Sequence, residues 1–305
     1  MPGQLERVIR STTRMDQEWY NFSAFPSRAP LQWPGGARVA LWIVPSIELM
    51  ELVPPAGAFS SMASTLEAPN VRNWSHRDYG NRVGIWRVME VLDKYGLRAT
   101  AAVNAIVCER YPDIVEESLE RGWEIMAHGE VASRMITERM PVEEERELIS
   151  RSRDVIAAAT GAPPAGWLSP QLSESTRTPG LLAEAGFTYT ADWANDDQPF
   201  RMNVATGELI AVPYSIEVND EAVIFNHNRT AWEFEQIGKD HFDAIYADAA
   251  ATGTGLVICI ALHPYCIGQP FRIKYLDQML AHIMSHASVW PATGSEIARH
   301  FAEDR

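Results

Sequence analysis

The chain has 305 residues, and 46% of them are hydrophobic, which is enough to bury a sizeable core. It carries 26 basic side chains of lysine and arginine against 40 acidic ones, so its formal net charge is −14. This acidic balance argues against a nucleic-acid-binding protein, because contacts with phosphates need a basic surface.

Short apolar runs alternate with amphipathic segments along the chain and predict an α/β fold. One example is the segment 80–95, where Ile85, Val88, Met89 and Leu92 recur at helical spacing. Predicted strands cover 38–45, 98–103, 123–127, 165–168, 187–191, 255–262 and 288–290. Predicted helices cover 80–95, 111–121, 141–159, 175–185, 231–250, 270–286 and 294–302.

Two stretches depart from the alternation. Residues 46–79 are rich in Pro, Ser and Ala and predict a long irregular loop, which in a compact domain tends to serve binding or assembly. Residues 208–225 predict two antiparallel strands, because the period shortens and no helix separates them. Since no linker or repeat divides the rest, we predict an N-terminal arm, 1–37, and one irregular α/β barrel, 38–305.

Polar side chains follow five of the apolar runs. In a β/α barrel, the groups that act on a substrate lie at the C-terminal ends of the strands. The residues that follow the runs VALWIVP, ATAAV, WEIMA, FTYTA and LVICIAL are Ser46 with Glu48, Asn104, His128, Asp192 and His263. They predict one shared site. Whether Ser46 or Ile47 faces it stays open, because a shift of one residue exchanges the two faces of a strand.

Four strings in the chain carry a family resemblance: RDYGNRVGIWRVMEVLDKYGLRATAAVNA, WEIMAHG, GWLSPQLSESTRTPGLLAEAGFTY and LHPYCIGQPFRIKYLD. From Arg38 to Phe301 the chain resembles the polysaccharide deacetylase superfamily (carbohydrate esterase family 4). Within it, the similarity is to the branch of cofactor-independent allantoinase, cyclic imide hydrolase and a peptidoglycan deacetylase-like protein. The resemblance implies a distorted (β/α) barrel with seven strands, assembled as a homotetramer or homodimer.

The resemblance also implies where a metal would bind. Metal-dependent members have two aspartates after the first strand, one a base and one a metal ligand; here Glu48 stands at the ligand position and Ser46 or Ile47 at the base position. The family's His-x-x-x-His pair reads His128 to Ala132. A catalytic zinc normally takes three protein ligands. We therefore expect no cofactor; the alternative is zinc held by Glu48, His128 and an unidentified third ligand.

Hydrolysis of an amide or imide without a metal needs acid–base groups and oriented dipoles. Glu48 is predicted to be the base that activates water, with a pKa raised in a partly desolvated cleft. His128 would orient Glu48 or the water and protonate the leaving nitrogen, and His263 stands at the family's general-acid position. The structural alternative is that Glu48 only pairs with an arginine such as Arg82 or Arg134.

Further residues are candidate contacts of a substrate. Arg134 would clamp a carboxylate, whereas Gln171 stands where the allantoinase-like proteins carry an arginine, which a neutral amide cannot replace. Asn104 either contacts a substrate or caps the short helix after it. The full set is Ser46, Asn104, Arg134, Gln171 and Trp193.

The predicted function is a hydrolase of non-peptide C–N bonds that acts on a cyclic imide, a ureide or a small amide, because imides and ureides are activated acyl donors. One alternative is a metal-dependent N-deacetylase of polysaccharide or peptidoglycan. The other is a non-catalytic ligand-binding protein or assembly scaffold with an eroded site, in which the arm and the segment 46–79 contact a neighbouring subunit.

The expected location is the cytoplasm. The three cysteines, Cys108, Cys259 and Cys266, are odd in number and show no paired spacing, which indicates reduced thiols. The segment Met1–Phe22 lacks the apolar core of a secretory signal, and no stretch has membrane-spanning length. The expected partners are a small-molecule substrate and further copies of the chain, without membrane or nucleic acid.

Overall fold

Nine strands form one curled sheet in the computed structural model, which describes residues 17–54 and 69–304. The strands are β1 Val39–Ile47, β2 Thr100–Val103, β3 Glu124–Ala127, β4 Gly166–Trp167, β5 Tyr189–Thr190, β6 Phe200–Arg201, β7 Ile210–Ala211, β8 Leu256–Leu262 and β9 Val289–Pro291. Parts of the predicted arm (1–16) and of the predicted loop (55–68) lie outside the described residues.

The order of the strands is β6-β7-β5-β4-β3-β2-β1-β8, and β9 also pairs with β1. Every pair is parallel except β6 with β7. The predicted distorted (β/α) barrel is confirmed. The predicted number of seven strands is wrong, because this path alone holds eight.

Helices surround the sheet. They are α1 Val71–Tyr79, α2 Ile85–Lys94, α3 Ala105–Arg110, α4 Pro112–Glu120, α5 Val142–Thr160, α6 Thr178–Glu184, α7 Ala231–Thr252, α8 Pro264–Ile267, α9 Ile273–Met284 and α10 Gly294–Asp304. A π-helical turn, Gly80–Gly84, joins α1 to α2. Within the part of the chain that the structure describes, no helix combines the length and the apolar character needed to cross a membrane.

Two predicted elements are wrong. The end of the predicted irregular loop is α1, which begins where the Asn70 side chain accepts a hydrogen bond from the Asn73 amide. Residues 208–225 do not form a hairpin: β7 pairs with β6, and Ala222–Asn226 is a π-helical turn. The side chains of Asn219 and Asp220 accept hydrogen bonds from the backbone amides of Ala222 and Glu221, where the turn begins. The apolar residues that follow therefore form a helical turn and not a strand.

Alternate residues of the strands pack into two different hydrophobic cores, one outside the curled sheet and one inside it. Along β1, Leu41 and Ile43 pack with residues of the surrounding helices, whereas Trp42 and Val44 face the inside of the curled sheet. The inner core also contains residues of the arm, among them the fully buried Leu31. Polar residues that continue the inward alternation past the strand ends therefore lie at the mouth of the barrel.

Candidate active site

Four predicted residues meet at the C-terminal ends of the parallel strands. β1, β2, β3 and β8 end level with one another, since Ser46 pairs with Ala102 and Pro45 with Leu262. Ser46 faces inward and Ile47 packs in the outer core, which answers the question of strand register. A cavity of about 150 Å³ opens there, lined by Ser46, Glu48, His128, Leu168, Ser169, Gln171, Leu172, Tyr214, Ile216, Asn219, Glu221, Ala222, Asn226 and His263.

Glu48 is held by a buried arginine that the sequence did not single out. Arg77 Nη1 lies 3.1 Å from Glu48 Oε2, and Arg77 Nη2 lies 2.8 Å from Glu221 Oε1. The guanidinium carbon also stands 4.8 Å from the centre of the Tyr265 ring. An arginine therefore does pair with Glu48, as in the structural alternative, but the partner is neither Arg82 nor Arg134.

The glycines of the string RDYGNRVG explain how Arg77 reaches the site. A β-carbon on Gly84 would lie 2.0 Å from the carbonyl oxygen of Pro264, and one on Gly80 would lie 2.7 Å from the Tyr265 nitrogen. The π-helical turn therefore packs backbone to backbone against α8, which follows His263 directly. This close approach sets α1 and Arg77 against the end of β8.

His128 is oriented by backbone groups. Its Nδ1 lies 2.6 Å from the Leu168 carbonyl oxygen, which can only accept, so Nδ1 carries the proton. Its Nε2 faces the cavity, 3.4 Å from Glu48 Oε1. Asn104 donates to the carbonyl oxygen of His128 and accepts from the amide of Leu49, and so ties the ends of β1 and β3 together.

His263 lies between two carboxylates that follow one another in sequence. Its Nδ1 is 2.8 Å from Asp220 Oδ1, and its Nε2 is 3.1 Å from Glu221 Oε2. Asp220 is fully buried and also accepts the backbone amides of His263 and Ile267. Neither acid is predicted from the sequence, because neither follows an apolar run; the only signal is a pair of acids before an apolar segment.

The charges around Glu48 reverse the shift expected from its burial. Burial by itself raises the pKa of this carboxyl, but the contact with His128 and the charges of Arg77 and His263 outweigh it and lower the pKa to about 2. The expectation that the pKa of Glu48 rises was therefore wrong. At neutral pH Glu48 is a carboxylate and a weak proton acceptor.

His263 is shifted in the other direction. Burial lowers the pKa of its imidazole, but the charge of Glu221 and the hydrogen bond and charge of Asp220 raise it to about 9, with a further contribution from Glu48. His263 is therefore an imidazolium at neutral pH. The site thus pairs a proton donor with a fixed carboxylate on the same cavity wall.

The donors at this cavity do not fit a zinc ion. Glu48 and His128 supply two ligands, Ala132 supplies none, and the Arg77 guanidinium already neutralises Glu48. In residues 17–54 and 69–304 the one group of three His, Cys, Asp or Glu donors within 4.8 Å of one another lies elsewhere, on α7, in the last turn of α9 and just after α9. A zinc site normally needs three protein ligands and would lie against the positive charge of Arg77.

Of the other predicted substrate contacts, some line the cavity and some do not. Gln171 lines the cavity with a φ of 59°, a conformation uncommon for a residue with a side chain. Arg134 does not: it pairs with Glu130 and with Glu144, at 2.9 Å, on the outer surface. Asn104 is fully buried. Its side-chain nitrogen and oxygen both bind backbone groups, and its side chain does not cap α3.

Trp193 and Asp192 lie behind the cavity wall. Trp193 packs against Trp19 of the arm, with ring centres 5.8 Å apart. Asp192 accepts hydrogen bonds from the Ser169 amide at 2.6 Å and the Ser169 hydroxyl at 2.8 Å, and so positions a residue that does line the cavity. Burial raises the pKa of Asp192.

Comparison with known proteins gives consistent matches. The family described as polysaccharide deacetylase matches residues 76–190. A Schizosaccharomyces pombe protein named "Putative polysaccharide deacetylase" is 27% identical over 295 residues, 88% of this chain and 91% of its own. The Helicobacter pylori peptidoglycan deacetylase is 23% identical over 255 residues, 73% of this chain and 85% of its own. The solved structure of PuuE allantoinase superposes with a TM-score of 0.83 at 27% identity, over 95% of this chain and 98% of that one.

The curled (β/α) barrel and the acid–base groups at its mouth define a hydrolase that acts on carbon–nitrogen bonds. Residues 76–190 match the polysaccharide deacetylase family, and the predicted resemblance to that family is confirmed.

Proposed function

We propose that this protein hydrolyses a C–N bond of a small cyclic imide, ureide or amide without a metal ion. The observation that carries the proposal is Arg77, whose guanidinium lies 3.1 Å from Glu48, the residue at the metal-ligand position that the resemblance implies. A fixed guanidinium supplies positive charge without open coordination positions. The allantoinase of the same fold is consistent with a ureide or a related substrate.

The size of the cavity favours a small substrate. Its volume of about 150 Å³ suits one five- or six-membered ring. A polysaccharide chain would need a long groove for several sugar units. Gln171 and Asn226 offer neutral amides to the carbonyl and N–H groups of an imide. An imide also leaves as a stabilised amide anion, so its hydrolysis places less demand on a Lewis acid than release of acetate from an N-acetyl sugar.

Water activation falls to His128 and Glu48 together. His128 Nε2 and Glu48 Oε1 lie 3.4 Å apart at the cavity, so one water molecule can contact both atoms. As the water oxygen attacks the carbonyl carbon, its proton passes to His128 Nε2. The Glu48 carboxylate stabilises the imidazolium that forms, and the Leu168 carbonyl keeps the ring in its orientation. Glu48 thus orients the water, and His128 accepts its proton.

His263 acts on the other side of the substrate. As an imidazolium, it keeps its Nδ1–H on Asp220, while its Nε2–H, which faces Glu221 in the free site, turns to the substrate and is transferred to the nitrogen that leaves. When the tetrahedral intermediate collapses, the C–N bond breaks and the ring opens to a carboxylic acid and an amide. The atoms of one water molecule are consumed.

The test is a panel of hydantoins, succinimides, allantoin and N-acetylglucosamine oligomers, assayed with and without chelator alongside elemental analysis of the protein. We expect ring opening that chelator does not affect. Glu48→Gln should lose at least about 100-fold in kcat/KM, because it removes the charge that orients the water and stabilises the His128 imidazolium. A Glu48→Gln variant with full turnover would contradict the role of Glu48.

A metal-dependent deacetylase is the second candidate, favoured by the names of the curated relatives. It predicts about one metal ion bound at the cavity per chain and acetate release that a chelator abolishes. A protein that binds a ligand of the panel but turns over none of them would instead support a non-catalytic role.

We also infer a cytoplasmic homo-oligomer, a dimer or tetramer, whose partners are small molecules and copies of itself. All three cysteines are buried and unpaired, as expected of a reducing compartment. Leu52, Val53 and Val71 flank the segment 55–68 with largely exposed apolar side chains. Such side chains suit a contact between subunits. A monomer by light scattering would contradict this assembly.

A further inference from the structure

Two histidines and an aspartate come together at a second place, far from the cavity. Asp243 lies on α7, and His282 lies in the last turn of α9. His286 follows α9 by two residues, at the spacing i, i+4 from His282. One donor atom from each of the three lies within 4.8 Å of the others, and His282 Nε2 is 2.7 Å from Asp243 Oδ1.

We propose that Asp243, His282 and His286 bind a transition-metal ion of the Zn²⁺ type that joins α7 to α9. Two imidazoles and one carboxylate form a ligand set that suits Zn²⁺, with a fourth position left for water. Part of Asp243 and of His282 is open to solvent, which provides a path of entry.

The rings are already oriented for this role. Both histidine rings pack edge-on against the buried Phe242, with centres 6.0 Å and 5.0 Å from its ring, and the ring centre of His286 also lies 5.3 Å from that of Tyr246. His286 Nδ1 lies 2.9 Å from the His282 carbonyl oxygen, so Nδ1 carries the proton and the neutral ring has its lone pair on Nε2. A hydrogen bond of this kind orients a metal-binding histidine and selects its tautomer.

The contact between His282 and Asp243 fits the metal-free state of such a site. A hydrogen shared between His282 Nε2 and Asp243 Oδ1 holds the two donors together at 2.7 Å. A metal ion would replace that hydrogen and separate the two atoms slightly. The C-terminal end of α9, where the helix dipole is negative, favours a cation at this point.

The site lies at the opposite end of the barrel from the catalytic cavity. His286 precedes β9, whose first residue, Val289, pairs with Val39 at the start of β1, whereas the cavity lies beyond the end of β1. Eight residue steps along a strand of about 3.3 Å each separate the two ends by roughly 26 Å. An ion there would stabilise the packing of α7 on α9 and would not contact a substrate. The proposal is therefore independent of the proposed function.

The experiment measures Zn²⁺ binding to the full-length chain after treatment with a chelator, by equilibrium titration against a metal-binding dye, with Co²⁺ absorption as a second probe. Asp243→Asn and His286→Ala should each weaken Zn²⁺ binding at least about 100-fold, since loss of a supporting hydrogen bond alone costs a metal site 10- to 100-fold. The parent should also melt at a higher temperature with Zn²⁺ than without it.

Two control variants separate this site from other sources of binding. His227→Ala removes an exposed histidine outside the cluster and should leave the titration unchanged. His128→Ala removes a donor of the catalytic cavity and should also leave this binding event in place. The proposal is overturned if the parent binds no Zn²⁺, or if Asp243→Asn and His286→Ala bind it as tightly as the parent. Asp243→Asn changes a largely exposed side chain, so it keeps the test valid if His286→Ala fails to fold.

Discussion

Arg77 connects the two acidic groups of the catalytic cavity. Its two terminal nitrogens reach Glu48 and Glu221, which belong to distant parts of the chain, and its ring contact with Tyr265 limits its motion. The side chain is almost fully buried, so its charge is poorly screened by water. Arg77 thereby lets two carboxylates and an imidazolium share one small volume.

The first prediction concerns the loss of this charge. Arg77→Met keeps most of the volume but leaves Glu48 and Glu221 buried without their cation, which should cost about 3–5 kcal/mol in the free energy of unfolding. Urea denaturation measures the loss. The double variant Arg77→Met with Glu221→Gln removes one of the two unpaired carboxylate charges, so it should recover part of the lost free energy of unfolding. A single variant as stable as the parent would show that the ion pairs contribute little.

The second prediction concerns the pH dependence of catalysis. The pKa of His263 is about 9, so its acidic form is present below that pH and is lost above it. We expect kcat/KM to fall on the alkaline side with an apparent pKa near 9. Asp220→Asn removes one of the two carboxylate charges on the ring and should move this limb to lower pH.

The measurement is a pH–rate profile of the parent and of Asp220→Asn on one substrate. His263→Gln, which has no group that titrates in this range, serves as the control and should lack the alkaline limb of the parent. An alkaline limb that stays in place in both variants would show that another group is responsible.

The residues that sequence reasoning found share one property. Ser46, Glu48, His128 and His263 each continue the inward alternation of a long or well-marked strand, and alternation can be read from sequence. Arg77 lies on a helix whose buried residues, Asn73 and Arg77, are polar, so the helix has no apolar stripe to mark it. Such residues are positioned by tertiary contacts, which the sequence alone does not display.

Secondary-structure elements show the same contrast: some are marked by a sequence pattern, and others depend on tertiary contacts. β1 and β8 are long, almost entirely apolar and predicted within two residues of their ends, because burial on both faces leaves a clear pattern. The two-residue strands β6 and β7 have almost no pattern of their own, and the apolar run of Ala222–Asn226 is equally compatible with a strand or a helical turn. Short elements depend on neighbours for their identity.

The third prediction tests the contact between the π-helical turn and α8. Gly84→Ala places a carbon 2.0 Å from the Pro264 carbonyl oxygen, so the two backbones must separate. Because Arg77 precedes this turn and His263 precedes α8, the variant should lose both stability and catalytic rate. Thermal melting and kcat measure the two losses.

Gly180→Ala is the matched control for this substitution. Gly180 lies in α6, and a β-carbon there would meet nothing within 4 Å. Alanine is the better helix former by about 1 kcal/mol, so this variant should be as stable as the parent or more stable, with unchanged kcat. If Gly84→Ala behaves like Gly180→Ala, the close packing of the turn against α8 does not position the site.

For the molecule as a whole, buried acids and bases make stability depend on pH in a defined way. The pKa of Glu48 is about 2 in the folded chain, below its ordinary 4.5, so its contribution is present above pH 4.5 and is lost as the pH falls towards 2. The pKa of His263 is about 9, above its ordinary 6.5, so its contribution is complete below pH 6.5 and is lost as the pH rises towards 9. Together, these two groups contribute most to the stability of the folded chain under mildly acidic conditions.

Glu174 adds a third contribution with the same sign as that of His263. Burial, followed by the charges of Asp192 and Glu145, raises the pKa of Glu174 to about 10. The folded chain therefore keeps a proton on Glu174 that the unfolded chain releases near pH 4.5. Stability should fall between these two values as the pH rises, by at most about 1.4 kcal/mol per pH unit from this group.

The fourth prediction follows from this linkage. Glu174→Gln stays neutral at every pH and can still donate a hydrogen bond to Asp192, so it should match the parent below about pH 4.5 and exceed it in stability above. The advantage should increase steadily up to about pH 9, while the contribution of His263 remains in both proteins. Urea denaturation of parent and variant at several pH values measures the difference. A difference that does not change with pH would show that Glu174 is ionised in the folded chain, and that the proton between it and Asp192 is absent.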